Sequence, residues 1–185
     1  MKKVTIALVT VALLTCTVPS VSQEPPAMPG PAKEHEWLQQ LVGEWQTDAE
    51  MFMEPGQPPV KSRGTESVRP IGGFWVLAEY QGTFMDKPFT GVLSLGYDPQ
   101  KKKYVGSWLG SMDSQLWRYE GTLDATGKIL TLETDGVCPH APGKLTKFKE
   151  VIEIKDQDHR VFTSSMEGED GKWVTAMVCQ YTRKP

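Results

Sequence analysis

At Gly43 the chain changes its period. Before it, His35 to Leu41 makes one or two helical turns that place Trp37, Leu38 and Leu41 on one face. After it, apolar and polar residues alternate almost to the C-terminus. The alternation predicts ten strands, over residues 43–53, 60–69, 73–85, 88–98, 103–112, 115–123, 128–135, 144–155, 159–167 and 172–183. Turn chemistry fills the gaps: Pro55-Gly56-Gln57-Pro58-Pro59, Gly72-Gly73, Asp86-Lys87, Asp98-Pro99, Asp124 to Gly127, Pro139 to Gly143, Asp156 to Asp158 and Glu169 to Gly171. Each connection is short enough for a hairpin, so the strands form an antiparallel meander, and a meander of this length closes to remove its edges. The expected fold is all-β, a single antiparallel up-and-down β-barrel of about ten strands with a short N-terminal helix.

One side of the middle strands is apolar and aromatic. Phe74, Val76, Ala78 and Tyr80 share a face, as do Phe89, Leu93, Leu95 and Tyr97, then Tyr104 and Trp108, then Trp117, Tyr119 and Leu123. Gly91, Gly106, Gly110 and Gly121 fall on that same face, where they either let the sheet coil or leave room between the rings. Phe148, Glu150, Ile152 and Ile154 also share a side, which puts a carboxyl among apolar neighbours. Such a group must be hydrogen-bonded, paired or neutral. Barrels of about eight strands or more are wide enough for one small molecule. Tyr80, Tyr97, Tyr104, Trp108, Trp117, Tyr119 and Glu150 are therefore the candidate ligand-binding residues, set against a filled core in which the tyrosines satisfy one another. Gly43 and Trp45 have a structural role, turning the chain into the first strand and closing one end of the barrel.

The first residues read as a secretory signal over 1–22, with Lys2 and Lys3 ahead of the apolar run Val4 to Leu14 and small residues at Ser20 and Ser22. The run is shorter than the roughly 20 residues that span a bilayer. Leu13-Leu14-Thr15-Cys16 offers a competing lipid anchor at Cys16, although Thr15 stands where such boxes want Gly, Ala or Ser. Residues 23–33 carry four prolines and read as a disordered linker, leaving 34–185 as one barrel domain. The expected address is exported, periplasmic or extracellular. With Lys2 and Lys3 gone from 20 basic residues against 23 acidic, the net charge is −5. That surface suits neither nucleic acid nor anionic membrane. The cluster Lys101-Lys102-Lys103 reads as a solvated hairpin tip. An oxidising compartment permits a disulfide between Cys138 and Cys179, worth roughly 4 kcal/mol if the geometry allows it. Oligomeric state is not legible.

Reactive constellations are few. Haem ligation would fall to His159, which follows Asp156-Gln157-Asp158 at a turn and so belongs at the rim. Cys138 and His140, with or without Cys179, match no structural zinc spacing, and Gln39 replaces the second histidine of a metalloprotease motif that begins at His35. There is no Gly-x-Ser-x-Gly elbow, no Ser-x-x-Lys and no phosphate-binding glycine loop. No catalytic residue, metal site or cofactor is expected.

A further set of residues recurs in order: Leu41-Val42-Gly43-Glu44-Trp45, Glu54-Pro55-Gly56, Gly72-Gly73-Phe74-Trp75, Pro88 to Gly91, Leu95-Gly96-Tyr97-Asp98-Pro99 with Lys103-Tyr104, Tyr119 to Leu123, and Asp158-His159-Arg160. Over about residues 34–184 this resembles an uncharacterised bacterial domain-of-unknown-function family found among exported proteins of planctomycetes and related bacteria. The resemblance implies no activity. More remotely the Gly-x-Trp opening is similar to the calycin superfamily, lipocalin-like barrels that include the haem-binding nitrobindins, and a fold-level likeness carries no function. The leading expectation is a non-enzymatic exported barrel that binds a small apolar or amphipathic molecule. Its alternatives are an interaction module with a filled barrel and, behind that, a cavity enzyme or haem scavenger.

Overall fold

The computed structural model describes residues 30–54, 56–137, 143 and 145–185. Helix α1 (Lys33–Leu38) runs into a 3-10 turn (Gln39–Leu41), and ten strands follow. They are β1 (Gly43–Met51), β2 (Val60–Ile71), β3 (Trp75–Phe84), β4 (Lys87–Asp98) and β5 (Lys103–Gly110), then β6 (Trp117–Leu123), β7 (Ile129–Val137), β8 (Leu145–Ile154), β9 (His159–Glu167) and β10 (Trp173–Arg183). Each strand pairs antiparallel with the next. The last returns to the first, from Trp45 opposite Arg183 to Met51 opposite Met177, so the sheet closes as one barrel. The proposed signal segment, Cys16, Cys138 and His140 lie outside the described residues.

Local differences from the sequence reading lie at the turns. Gly72 and Gly73 both hold positive φ, 59° and 77°, and the turn they make takes in Phe74, so β3 begins at Trp75. Between β3 and β4 the reversal sits on Met85-Asp86, not Asp86-Lys87, because Phe84 pairs with Lys87. Both turn residues take positive φ, 48° and 61°, as a two-residue hairpin of type I′ requires.

The starts of the odd strands and the ends of the even strands gather at one end, which the helical segment plugs. Leu38, Leu41 and Trp37 are buried there against Trp45, Val76, Leu95, Tyr104 and Leu130. Each such side chain contributes about 1.5–3 kcal/mol by leaving water. Hydrogen bonds fasten the plug to the turns. Trp37 Nε1 donates to the Gly127 carbonyl at 2.9 Å, and the Tyr104 hydroxyl donates to the Glu34 carbonyl at 3.0 Å. Buried His35 accepts from the Ala32 N–H on Nδ1 at 2.8 Å, which leaves Nε2 to donate to the Tyr97 carbonyl at 3.2 Å.

The Gly-x-Trp step has a specific geometry. Gly43 holds φ of 133°, and a side chain there would collide with the Arg183 guanidinium. That guanidinium donates to the carbonyls of Val42 at 2.6 Å and Gln40 at 3.0 Å, and it lies 4.1 Å from the Trp45 ring centre. The indole is 1% exposed and donates to the Leu41 carbonyl at 2.8 Å.

Candidate functional site

Burial falls away from the plugged end along the inner face of β3, β4 and β5, while β7 and β8 stay buried along theirs. On β3, Val76 and Ala78 are buried and Tyr80 is half-exposed. On β4, Leu95 is buried while Leu93 and Phe89 are half-exposed, and on β5 Tyr104 gives way to half-exposed Trp108. Solvent therefore reaches the inner face of β3, β4 and β5 from the end opposite the helix, the mouth of the barrel. Exposed apolar side chains ring that mouth: Phe52 and Met53 after β1, Met85 between β3 and β4, Met112 and Leu116 between β5 and β6, Leu145 on β8 and Trp173 on β10.

Large rings lie along this wall, over glycines. Trp108 covers Gly91 on the neighbouring strand, Trp117 covers Gly136, and Tyr80 covers both Gly64 and Gly82. A Cβ at Gly82, Gly91 or Gly136 would push the ring aside, and at Gly64 it would also meet the Gln81 carbonyl. Gly106 and Gly121 do different work. At Gly121 the missing side chain lets the backbone of Thr131 and Leu132 approach, as sheet coiling demands. Gly91 thus accommodates a ring, and Gly121 a close approach of the main chain. The rings also contact one another, Tyr80 with Phe89 at 5.8 Å, Phe89 with Trp108 at 6.3 Å, and Trp117 edge-on to Phe148 at 4.9 Å.

Charged residues interrupt this wall at two places. Glu150 is 5% exposed, between Leu132 of β7 and Ser164 of β9 in register. The Ser164 hydroxyl donates to its Oε1 at 3.1 Å, and Oε2 has no hydrogen-bond partner among the described residues. Burial pushes the carboxyl up to about 8, more than the serine bond offsets, so near neutral pH it is a carboxylic acid. Tyr119 lies close by, its hydroxyl pushed upward by burial and then by Glu150. The second group is Glu66 of β2 with Arg160 of β9, a buried ion pair. The Arg160 guanidinium stacks on Tyr181 at 4.1 Å and on Trp45 at 4.6 Å, which repays part of its desolvation.

Among the residues singled out in sequence, Tyr80, Trp108 and Trp117 are half-buried in the half of the barrel away from the helix, and Tyr119 and Glu150 are buried. Tyr97 and Tyr104 do not join them. They face inward by alternation but sit at the plugged end, ring against ring at 5.2 Å beneath the helix. Both border a cleft of about 710 Å³ that lies outside the barrel, beside α1 and the β6–β7 turn. This cleft is a packing seam more than a receptor. Tyr104 and Trp37 already spend their donors on the helix and turn carbonyls, and Asp124 accepts from Lys128, Ile129 and Thr126.

His159 is exposed at the plugged end, its Nδ1 2.8 Å from Asp156, while its neighbour Arg160 takes the inward place. Cys179 is a buried free thiol, pushed up to about 12 chiefly by burial; the proposed partner Cys138 is outside the described residues. Lys101 and Lys103 pair with Glu120 on the outer face at 2.6 and 3.2 Å. Among the described residues no group of three or more His, Cys, Asp or Glu could hold a metal ion, and no helix is long and apolar enough to cross a membrane. Sequence reasoning missed the Glu66–Arg160 pair. Its signal was available, since Glu66 shares an inward face with Gly64 and Val68, and an inward charge calls for an opposite one.

The family model described as "Protein of unknown function (DUF1579)" matches residues 30–183. None of the curated protein sequences matches. Among solved structures, the barrel is similar to Rv2717c from M. tuberculosis, at a TM-score of 0.59 and 15% identity, covering 83% of this chain and 99% of that one. It is also similar to the S-type phycobiliprotein lyase CPES from Guillardia theta, at 0.54 and 14%, covering 82% and 93%. Likeness at this level of identity establishes a shared fold.

Proposed function

The chain belongs to the DUF1579 family of proteins of unknown function, so membership brings no activity with it, and we propose a role from the lumen. The protein is a non-enzymatic, exported binding barrel that takes up a small apolar or amphipathic molecule through the mouth opposite the helix. The observation that carries this is the gradient along the inner face of β3, β4 and β5, buried at Val76, Leu95 and Tyr104 and half-exposed at Tyr80, Leu93 and Trp108. A filled core would bury both sets. An aromatic wall with few polar groups is the usual make-up of a small-molecule site. Support for the exported address is Lys2-Lys3 followed by the apolar run Val4 to Leu14.

The test is native mass spectrometry of the protein purified from the compartment it is exported to, compared with its denatured mass. An organic molecule lost on denaturation is the expected result. A bare polypeptide in repeated preparations, with tryptophan fluorescence that no naphthalene-sized probe quenches, would sink the reading. One observation favours a second reading, an interaction module that docks by its rim: Phe52, Met85, Met112, Leu145 and Trp173 all sit exposed around the mouth. A bare mass together with a co-purifying protein partner would favour that reading.

A further inference from the structure

Glu150 is a buried acid of the barrel interior that packing alone does not explain. Its carboxyl is 5% exposed, Ser164 satisfies one oxygen, and the other has no partner among the described residues. A buried polar atom left without a partner costs more than a filled apolar position would. A leucine would fit the same wall, since Leu132 stands beside it and Ile152 is the next inward residue of β8. Phe148 is the inward residue one step nearer the mouth, and it packs edge to face with Trp117. Ser164 is half-exposed on the open wall and touches the acid directly. The carboxyl thus lies one side chain behind the accessible surface.

We propose that Glu150 is the anchor of the lumen, and that it selects a flat, conjugated, uncharged molecule that presents a hydrogen-bond acceptor such as a carbonyl oxygen. This rests on the reading of the lumen as a binding site. Ser164 donates to Oε1, so the acid proton belongs on Oε2, where it is an unspent donor. A ketone or quinone oxygen takes that proton's hydrogen bond once the Phe148 ring turns aside, while the ligand's plane lies on Trp108 and Trp117, which cover glycines with their faces along the wall. The preference for an uncharged acceptor follows from what surrounds the acid. The titratable group that faces it is Tyr119, kept protonated by its own burial, and the lumen's arginine, Arg160, is already compensated by Glu66. Among the described residues no cation acts on Glu150, so a ligand anion would find no counter-charge beside it, and a ligand cation would have to ionise Glu150 in an apolar wall.

Three probes of one skeleton test this by quenching of tryptophan fluorescence: acetonaphthone, ethylnaphthalene and naphthylethylamine. The expected result is that Glu150→Leu weakens acetonaphthone about five- to tenfold and leaves ethylnaphthalene unchanged, the effect of one lost hydrogen bond. Glu150→Gln, which can still donate, retains the ketone. The wild type loses its ketone preference as pH rises through about 8, where the proton leaves, and the Gln variant does not. Far-UV circular dichroism and the melting temperature confirm that each variant folds, and the Gln variant keeps the test alive if the Leu variant does not. If both neutral probes bind and neither responds to Glu150→Leu, the anchor is overturned and the lumen reading stands. If the amine binds best and is lost in the Gln variant, Glu150 is instead a counter-ion and the proposal fails. If no probe binds, both readings fail together.

Discussion

Single residues carry opposite loads on the same inner face, and glycine shows it best. At Gly91 an added methyl meets the Trp108 ring, which can swing into the lumen; at Gly121 it meets the main chain of β7, which cannot move. Gly91→Ala should therefore cost about 1–3 kcal/mol and abolish probe binding by filling the lumen, whereas Gly121→Ala should cost above about 3 kcal/mol. Urea denaturation of the pair, with probe titration of Gly91→Ala, checks the order; equal costs would refute it. Glu150 sets a second expectation at this scale. Its folded-state value is raised from 4.5 to about 8, so between those limits the folded state holds a proton that the unfolded state has released. Stability then falls by about 1.4 kcal/mol per pH unit across that window and levels off above it. Glu150→Gln should remove that slope, and parallel stability curves for variant and wild type would contradict the assignment.

At the scale of elements, the hairpin between β3 and β4 and the helical plug are each held by identifiable local chemistry. Met85 and Asp86 both occupy positive φ, which costs side chains other than Gly, Asn or Asp about 1–2 kcal/mol. Met85→Asn with Asp86→Gly, the sequence that a type I′ turn favours, should raise the melting temperature with no loss of ligand binding. A drop instead would mean that Met85 contributes packing at the mouth. The plug depends on Arg183, which ties the Val42 and Gln40 carbonyls at the start of the barrel to its last strand. Arg183→Ala should cost about 2–4 kcal/mol through those charge-assisted bonds and the lost Trp45 stack. Hydrogen exchange should show the loss concentrated in residues 33–45, and an evenly spread change would count against a local fastening.

For the whole molecule, closure through β1 and β10 makes every strand depend on two neighbours, so the barrel should open as a unit. Cys179 lies next to that seam, opposite Ala49, 3% exposed and with its thiol pushed up to about 12. In a Cys138→Ser background its alkylation by iodoacetamide should follow global unfolding and slow further when acetonaphthone is bound. Rapid labelling under native conditions would show that the β1–β10 seam opens by itself.

The sequence by itself determined the ten strands, their hairpin order and the face that side chains within the strands present, Phe74 falling instead in a turn. Those follow from period-two alternation and from Gly, Pro and Asp at the reversals, both local properties. The face assignment held because the irregularity in β10, between Thr175 and Met177, falls in the last strand, with no later strand to displace. Only the tertiary structure decided depth along the barrel axis. Tyr97 and Trp108 share an inward face, yet one packs under the helix and the other lines the lumen, since depth depends on how neighbouring strands stagger once the sheet closes. The same holds for Trp108 over Gly91 and for Glu66 with Arg160, 94 residues apart. Alternation names a side of the sheet, and the register of a closed barrel names the partner.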